Sequence, residues 1–381
     1  MGDRGEMVVD AVPTGWMPVV SGSVATAALA RVAVLAGEPR ATPRRVRYDL
    51  GGGGAGLAVV CRQLHRWRPG QGWDAMAERW LAAAEAGAGV GVGVLRSGGV
   101  ASGLWGGSGG LEFAGWVLGR DFDPVPRTEV GRGWDRASGS AGVGREFDLV
   151  YGLTGVCTNL LCRVAEPGSR EALRAGLAVL VRSVGVGEWP QPGLAHGVSG
   201  PLALMSLAYR AGVRVPGQAA AIERAGARLV ECCVADDWGP NWPAINGDSR
   251  IAHGSWCVGA AGIARALWLA GEALGDADLR TSATDALAAV LARPARERLV
   301  DKAPGLCHGL AGLLQITLRF AVDTGDPGLR GAATRLTEEL LDRHPTTAGP
   351  GLLDGAAGVI LALLAATTST PPSWDRALLL A

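Results

Sequence analysis

GAAGIARALWLA, residues 259–270, opens on two glycines three residues apart and runs directly into an apolar helical stretch. One Gly-x-x-Gly marks a turn and little else. The same figure, however, recurs seven times. It returns as GGAGLAVVCRQL from Gly53, GSGGLEFAGWVL from Gly107, GLTGVCTNLLCR from Gly152, GVSGPLALMSLA from Gly197, GLAGLLQITLRF from Gly309 and GAAGVILALLAA from Gly355. The first glycines stand 54, 45, 45, 62, 50 and 46 residues apart in chain order. A period of this kind is the signature of a repeat architecture.

Amphipathic segments lie between the apolar ones. In SREALRAGLAVLVRS (169–183), Leu173, Leu177 and Leu180 share a helical face, with Arg174 and Arg182 off it. After Pro327, Leu329, Leu336 and Leu340 do the same, and Glu338, Glu339 and Arg343 face water. Pro216 and Pro327 sit where helix starts tolerate proline. The unit is therefore a polar-faced helix, a turn with Gly-x-x-Gly, and an apolar helix. An open solenoid of such pairs needs polar end caps, whereas a closed ring does not. The seventh apolar helix is as apolar as the middle ones, which predicts closure. The fold class expected is all-α: a double-layered α/α toroid of seven inner and seven outer helices, forming a single domain over 1–381. Residues 119–147, rich in Gly, Asp and Arg, break the rhythm and read as a long surface loop or small insertion. VGVGVL (90–95) is a candidate short strand.

Composition narrows the function. The 381 residues carry 36 basic and 36 acidic side chains, scattered rather than clustered, so no long-range pull toward nucleic acid is expected. No basic segment leads into an apolar run near the start, and GVILALLAATT from Gly358 is too short to span a bilayer. These features make a cytoplasmic protein without an integral membrane segment the expectation. Seven cysteines, an odd number, argue against a disulfide scaffold.

If the seven turns gather at one mouth, the residues just ahead of them face one another. These are Trp105, Asp148, His196, Cys257, Cys307 with His308, and Asp354. Cys61, Cys157 and Cys162 lie inside apolar helices and Cys232 and Cys233 near an outer-helix end, where packing is the simpler reading. Cys257, Cys307 and His308 form a Cys2His set, which leaves a zinc ion one open position. Spacing alone leaves zinc and plain packing both open. Likewise, Asp148 reads as a helix N-cap or as the carboxylate that orients an imidazole, and His196 as a cap or as an acid/base. Asp354 reads as an N-cap, and His65 and His344 as surface residues.

These motifs resemble those of the lanthionine synthetase C-like family. SWCVGAAG (255–262) and LCHGLAG (306–312) resemble its WCxG and CHG zinc motifs, AHGVSG (195–200) its HG motif, and FDLVYGLTG (147–155) its aspartate-bearing motif. The resemblance implies one zinc per chain on Cys257, Cys307 and His308, with His196 as acid/base and Asp148 orienting it. It implies a free-standing lanthipeptide cyclase. Such an enzyme adds precursor-peptide cysteine thiols to dehydroalanine or dehydrobutyrine, forming thioether rings. The partners implied are the dehydrated precursor and a dehydratase, in a complex that can be peripheral to a membrane. The family often has an arginine four residues before the WCxG cysteine. Here that position is His253, with Arg250 further upstream, and Val258 stands where an aromatic residue or histidine is common. His253 is therefore a third candidate catalytic residue.

Two alternatives keep the same fold: addition of glutathione or another external thiol to dehydroamino acids, and a peptide-binding scaffold with structural zinc. A terpenoid cyclase or glycosidase on another α/α toroid would need clustered carboxylates. DDW at 236–238 is the only adjacent acidic pair near a turn.

Overall fold

The computed structural model describes residues 15–40, 46–88, 103–120, 145–186, 189–247, 253–298, 300, 303–343 and 349–381. Each Gly-x-x-Gly opens a helix. The seven inner helices are Gly54–Trp67, Gly109–Leu118, Leu153–Cys162, Ser199–Arg210, Ala260–Leu274, Leu310–Thr324 and Ala356–Thr367. Each packs on the next, and the seventh packs on the first, so the ring is closed. A helix that is apolar on every face must be buried on every face. In the sixth inner helix every residue from Leu310 to Ala321 is buried, including Gln315, Thr317 and Arg319.

Six outer helices lie among the described residues: Gly22–Leu35, Trp73–Gly87, Ser169–Val186, Gln218–Glu231, Ala277–Ala292 and Pro327–Arg343. They are two-faced. Gln218–Glu231 buries Ala221, Ile222, Ala225 and Leu229, while Glu223 and Arg224 face solvent. The first outer helix packs on the last inner one, and Val19 and Val20 donate backbone hydrogen bonds to Ala366 O there. Most of the expected insertion falls on 121–144, outside the described residues, as does the candidate strand at 90–95.

The glycines have one structural job, repeated. A Cβ on Gly259 would lie 1.8 Å from His253 O, and one on Gly262 2.1 Å from Trp256 O. On Gly309 it would meet Ala303 O at 2.4 Å, and on Gly312 Leu306 O at 2.0 Å. In each case the obstacle is the carbonyl six residues upstream. The chain folds back over its own helix start, and a side chain of any size would block it.

The folded-back turns join head to tail around the mouth. Trp105 N and Gly106 N donate to Val150 O, Leu149 N to Ala195 O, Ala195 N to Cys257 O, and Cys257 N to Cys307 O. Leu306 N and Cys307 N then donate to Leu353 O, and Leu352 N and Leu353 N to Gly51 O. This chain of bonds satisfies backbone groups that the turns would otherwise leave unpaired.

One element has no counterpart in the sequence-based expectation. Val234–Asp236 and Gly239–Asn241 form an antiparallel hairpin. Asp236 accepts from Trp238 N, Asn241 Nδ2 and the Arg293 guanidinium. The DDW carboxylate is thus held in a structural turn.

Candidate metal centre

The hydrogen bond from Cys257 N to Cys307 O, 3.2 Å, ties turn five to turn six. It brings together two cysteines fifty residues apart in sequence. One ligand atom each from Cys257, Cys307 and His308 lies within 4.8 Å of the others. Four ligands on a tetrahedral zinc, at about 2.0–2.3 Å from the metal, stand within about 4 Å of one another. A small contraction therefore closes the set on an ion.

The electrostatics fit a cation. The Cys257 thiol is drawn well down, chiefly by its hydrogen bond with Cys307, then by those with His308 and Ser255, against the effect of burial. Cys307 is pushed up by the same contact. His308 is raised, chiefly by its hydrogen bond with Cys257. The three groups thus perturb one another strongly, and a divalent ion displaces protons when it binds deprotonated ligands of these types.

Turn four stands beside turn five through the 2.9 Å bond from Ala195 N to Cys257 O. His196 Nδ1 lies 2.6 Å from Asp148 Oδ2. Asp148 is fully buried, and the His196 side chain is 34% exposed. The other oxygen, Asp148 Oδ1, accepts from Tyr151 N at 2.6 Å and Gly152 N at 3.0 Å. The N-cap reading of Asp148 is corrected: the helix is capped by Gly152 without a side-chain bond, and Asp148 Oδ1 braces the turn ahead of it while Oδ2 lies against the imidazole. Because Nδ1 faces the carboxylate, Nε2 is the nitrogen left to the mouth.

His253 is half-buried, with Nδ1 buried and without a hydrogen-bond partner among the described residues. Its pKa is lowered chiefly by burial, with the Cys257 charge opposing this and His308 adding to it. Arg250 lies outside the described residues, as does His344. Asp354 is corrected: the helix it precedes is capped by Gly355 without a side-chain bond, and Asp354 instead lies 3.7 Å from His308 Nδ1. His65 is only half-exposed, 3.8 Å from Asp74. Cys61 and Cys157 are buried, as expected for packing residues.

Two residues escape the sequence reading. The Tyr151 ring stacks on His196, with centroids 6.2 Å apart and 20° between planes. The available signal is its place directly before Gly152, equivalent to that of His196 before Gly197. Asp49 stands four residues before Gly53, as Asp148 does before Gly152, and its Oδ1 accepts from Gly52 N.

The comparisons agree with this geometry. In structure, the chain is similar to a protein described as "Nisin cyclase", with a TM-score of 0.73 and 17% sequence identity, over 93% of this chain and 96% of that one. At that identity the likeness shows the fold, a helical toroid. No curated protein matches in sequence. The family model described as "Lanthionine synthetase C-like protein" matches residues 45–379, a span that contains all seven turns and every candidate site residue. The chain belongs to the lanthionine synthetase C-like family.

Proposed function

We propose that this chain is a zinc-dependent lanthipeptide cyclase. It would add cysteine thiols of a dehydrated precursor peptide to dehydroalanine or dehydrobutyrine, giving lanthionine or methyllanthionine rings. The observation that carries the reading is the meeting of two sets at one mouth. Cys257, Cys307 and His308 converge within 4.8 Å, and the His196–Asp148 pair sits on the adjoining turn.

Cys257, Cys307 and His308 would hold one zinc per chain. When bound, it supplies the acidity that turns a substrate thiol, with a pKa of about 8.5 when free, into a thiolate at neutral pH. The protein's side chains do the rest. The thiolate sulfur attacks the β-carbon, a C–S bond forms, the C=C π pair moves onto the enolate, and a proton must reach the α-carbon. His196 Nε2 is the group that takes up and returns that proton. Asp148 fixes its tautomer through Nδ1. His253 stands in place of the arginine common in the family and offers a ring N–H to the enolate oxygen. A dehydratase must act first, because the electrophile is a dehydrated serine or threonine.

The test is metal analysis joined to a ring-forming assay on a dehydrated precursor. About one zinc per chain and thioether rings are expected. His196→Ala should keep zinc and fold and form no rings. Substoichiometric zinc, or full ring formation by His196→Ala, sinks the reading. Adduct formation with added glutathione in place of rings would point to external-thiol addition. Unfolding of Cys257→Ala together with an inert His196→Ala would point to the scaffold.

A further inference from the structure

The centre of the toroid is filled by the chain's own C-terminal segment. Ser373–Leu378 forms a 3-10 turn packed on the second and third inner helices. From Trp374 to Leu380 every residue but Arg376 is buried.

Side chains from around the ring grasp this segment. At its entry, far from the mouth, Gln63 Nε2 donates to Pro371 O at 3.1 Å and Arg66 to Ser373 Oγ at 2.7 Å. Midway, Arg319 makes a two-pronged pair with Asp375, both contacts 2.6 Å, and Gln315 adds a third bond at 2.7 Å. The segment then reaches the underside of the turns. Trp105 Nε1 donates to Ala377 O at 3.1 Å, and Trp256 Nε1 to Leu378 O at 3.0 Å. The two indoles touch each other, with centroids 5.9 Å apart. Leu379 then takes a left-handed conformation, φ 56°, and turns the chain so that Arg265 holds Leu380 O.

Trp105 and Trp256 therefore bond to successive carbonyls of one buried segment. Their chain neighbours differ. Trp256 is covalently next to Cys257, whereas turn two, which carries Trp105, holds no candidate ligand. We propose that the C-terminal segment is a positioning element for the metal centre, acting through Leu378 O on Trp256 and so on the placement of Cys257. Asp375 is its anchor. The inference rests on the metal reading of Cys257, Cys307 and His308.

The paired tryptophans supply the control. Trp256→Phe and Trp105→Phe each keep a ring in place and each orphan one buried carbonyl, so similar losses in Tm are expected. Zinc affinity, read by competition with a chromogenic chelator, should fall about tenfold or more in Trp256→Phe, the usual scale for groups that orient ligands, and stay unchanged in Trp105→Phe. The thiolate-to-cobalt absorption of the cobalt(II)-loaded protein should shift only in Trp256→Phe. Asp375→Asn, which loosens Arg319 and Gln315, should weaken zinc binding by less and add nothing to Trp256→Phe. It reads the same coupling if Trp256→Phe does not fold. Wild-type affinity and spectrum in Trp256→Phe, or equal loss in Trp105→Phe, overturns the inference while leaving the metal reading intact. A wild-type chain that binds no zinc overturns both.

Discussion

The first and third turns begin alike and end differently. DLGGGGAG (49–56) and DLVYGLTG (148–155) both place an aspartate four residues before the first glycine. In both, Oδ1 braces the turn: Asp49 accepts from Gly52 N at 2.7 Å, and Asp148 from Tyr151 N and Gly152 N. The second oxygen parts them. Asp49 Oδ2 pairs with Arg47 at 2.8 Å, a guanidinium side chain 77% exposed, while Asp148 Oδ2 meets His196 and is fully buried. The neighbouring turn makes the difference. Ahead of its first glycine, turn four presents His196, and turn two presents Gly106, which has no side chain to offer. Bracing the turn is a local property of the motif. Orientation of an imidazole belongs to two turns at once.

Breaking the comparison at its functional end should give the largest effect. In Asp148→Asn, the amide oxygen can still brace the turn, but the NH2 then faces His196 Nδ1 and selects the wrong tautomer. Ring formation should fall on the order of 10²–10⁴-fold, the usual contribution of general acid–base catalysis, with zinc content unchanged. Near-normal turnover would mean that Asp148 only braces the turn.

The second test asks where the two turns should behave alike. A Cβ on Gly155 would lie 2.3 Å from Leu149 O and 2.9 Å from Leu104 Cβ, and one on Gly56 2.3 Å from Leu50 O and 2.9 Å from Leu352 Cβ. Gly155→Ala and Gly56→Ala should therefore cost similar stability, about 1–3 kcal/mol each, as for other overpacked sites. Thermal melts check this. A large loss at one turn only would contradict the shared fold-back.

The smallest effect is expected from Asp49→Asn. It keeps the acceptor for Gly52 N and loses only a solvent-screened pair, worth about 0–1 kcal/mol. Activity and Tm should match wild type. A strong activity loss there would give Asp49 a role at the mouth that the geometry does not provide.

Much of this molecule is legible in one dimension. Glycine spacing, apolar runs and two-faced helices state the repeat, and the repeat states closure, because the periodic pattern reflects directly which faces must be buried. Cys257, Cys307, His308, Asp148 and His196 are legible because each sits at a fixed offset from a repeated glycine. Asp49 is equally legible by that rule. The hairpin at 234–241 is not. Its strands are three residues long, and it is held by Arg293, which follows the Ala277–Ala292 helix far along the chain.

The sequence by itself therefore determined the ring, the turns and the kinds of side chain brought to the mouth. Only the tertiary structure decided which of them meet. The order in which turns donate hydrogen bonds around the mouth pairs Cys257 with Cys307 and His196 with Asp148. The position of the C-terminal segment is likewise invisible in the sequence. Its partners, Trp105, Trp256, Arg265 and Arg319, are 53–272 residues away and recognise mostly backbone carbonyls, which every residue carries and no sequence pattern reveals.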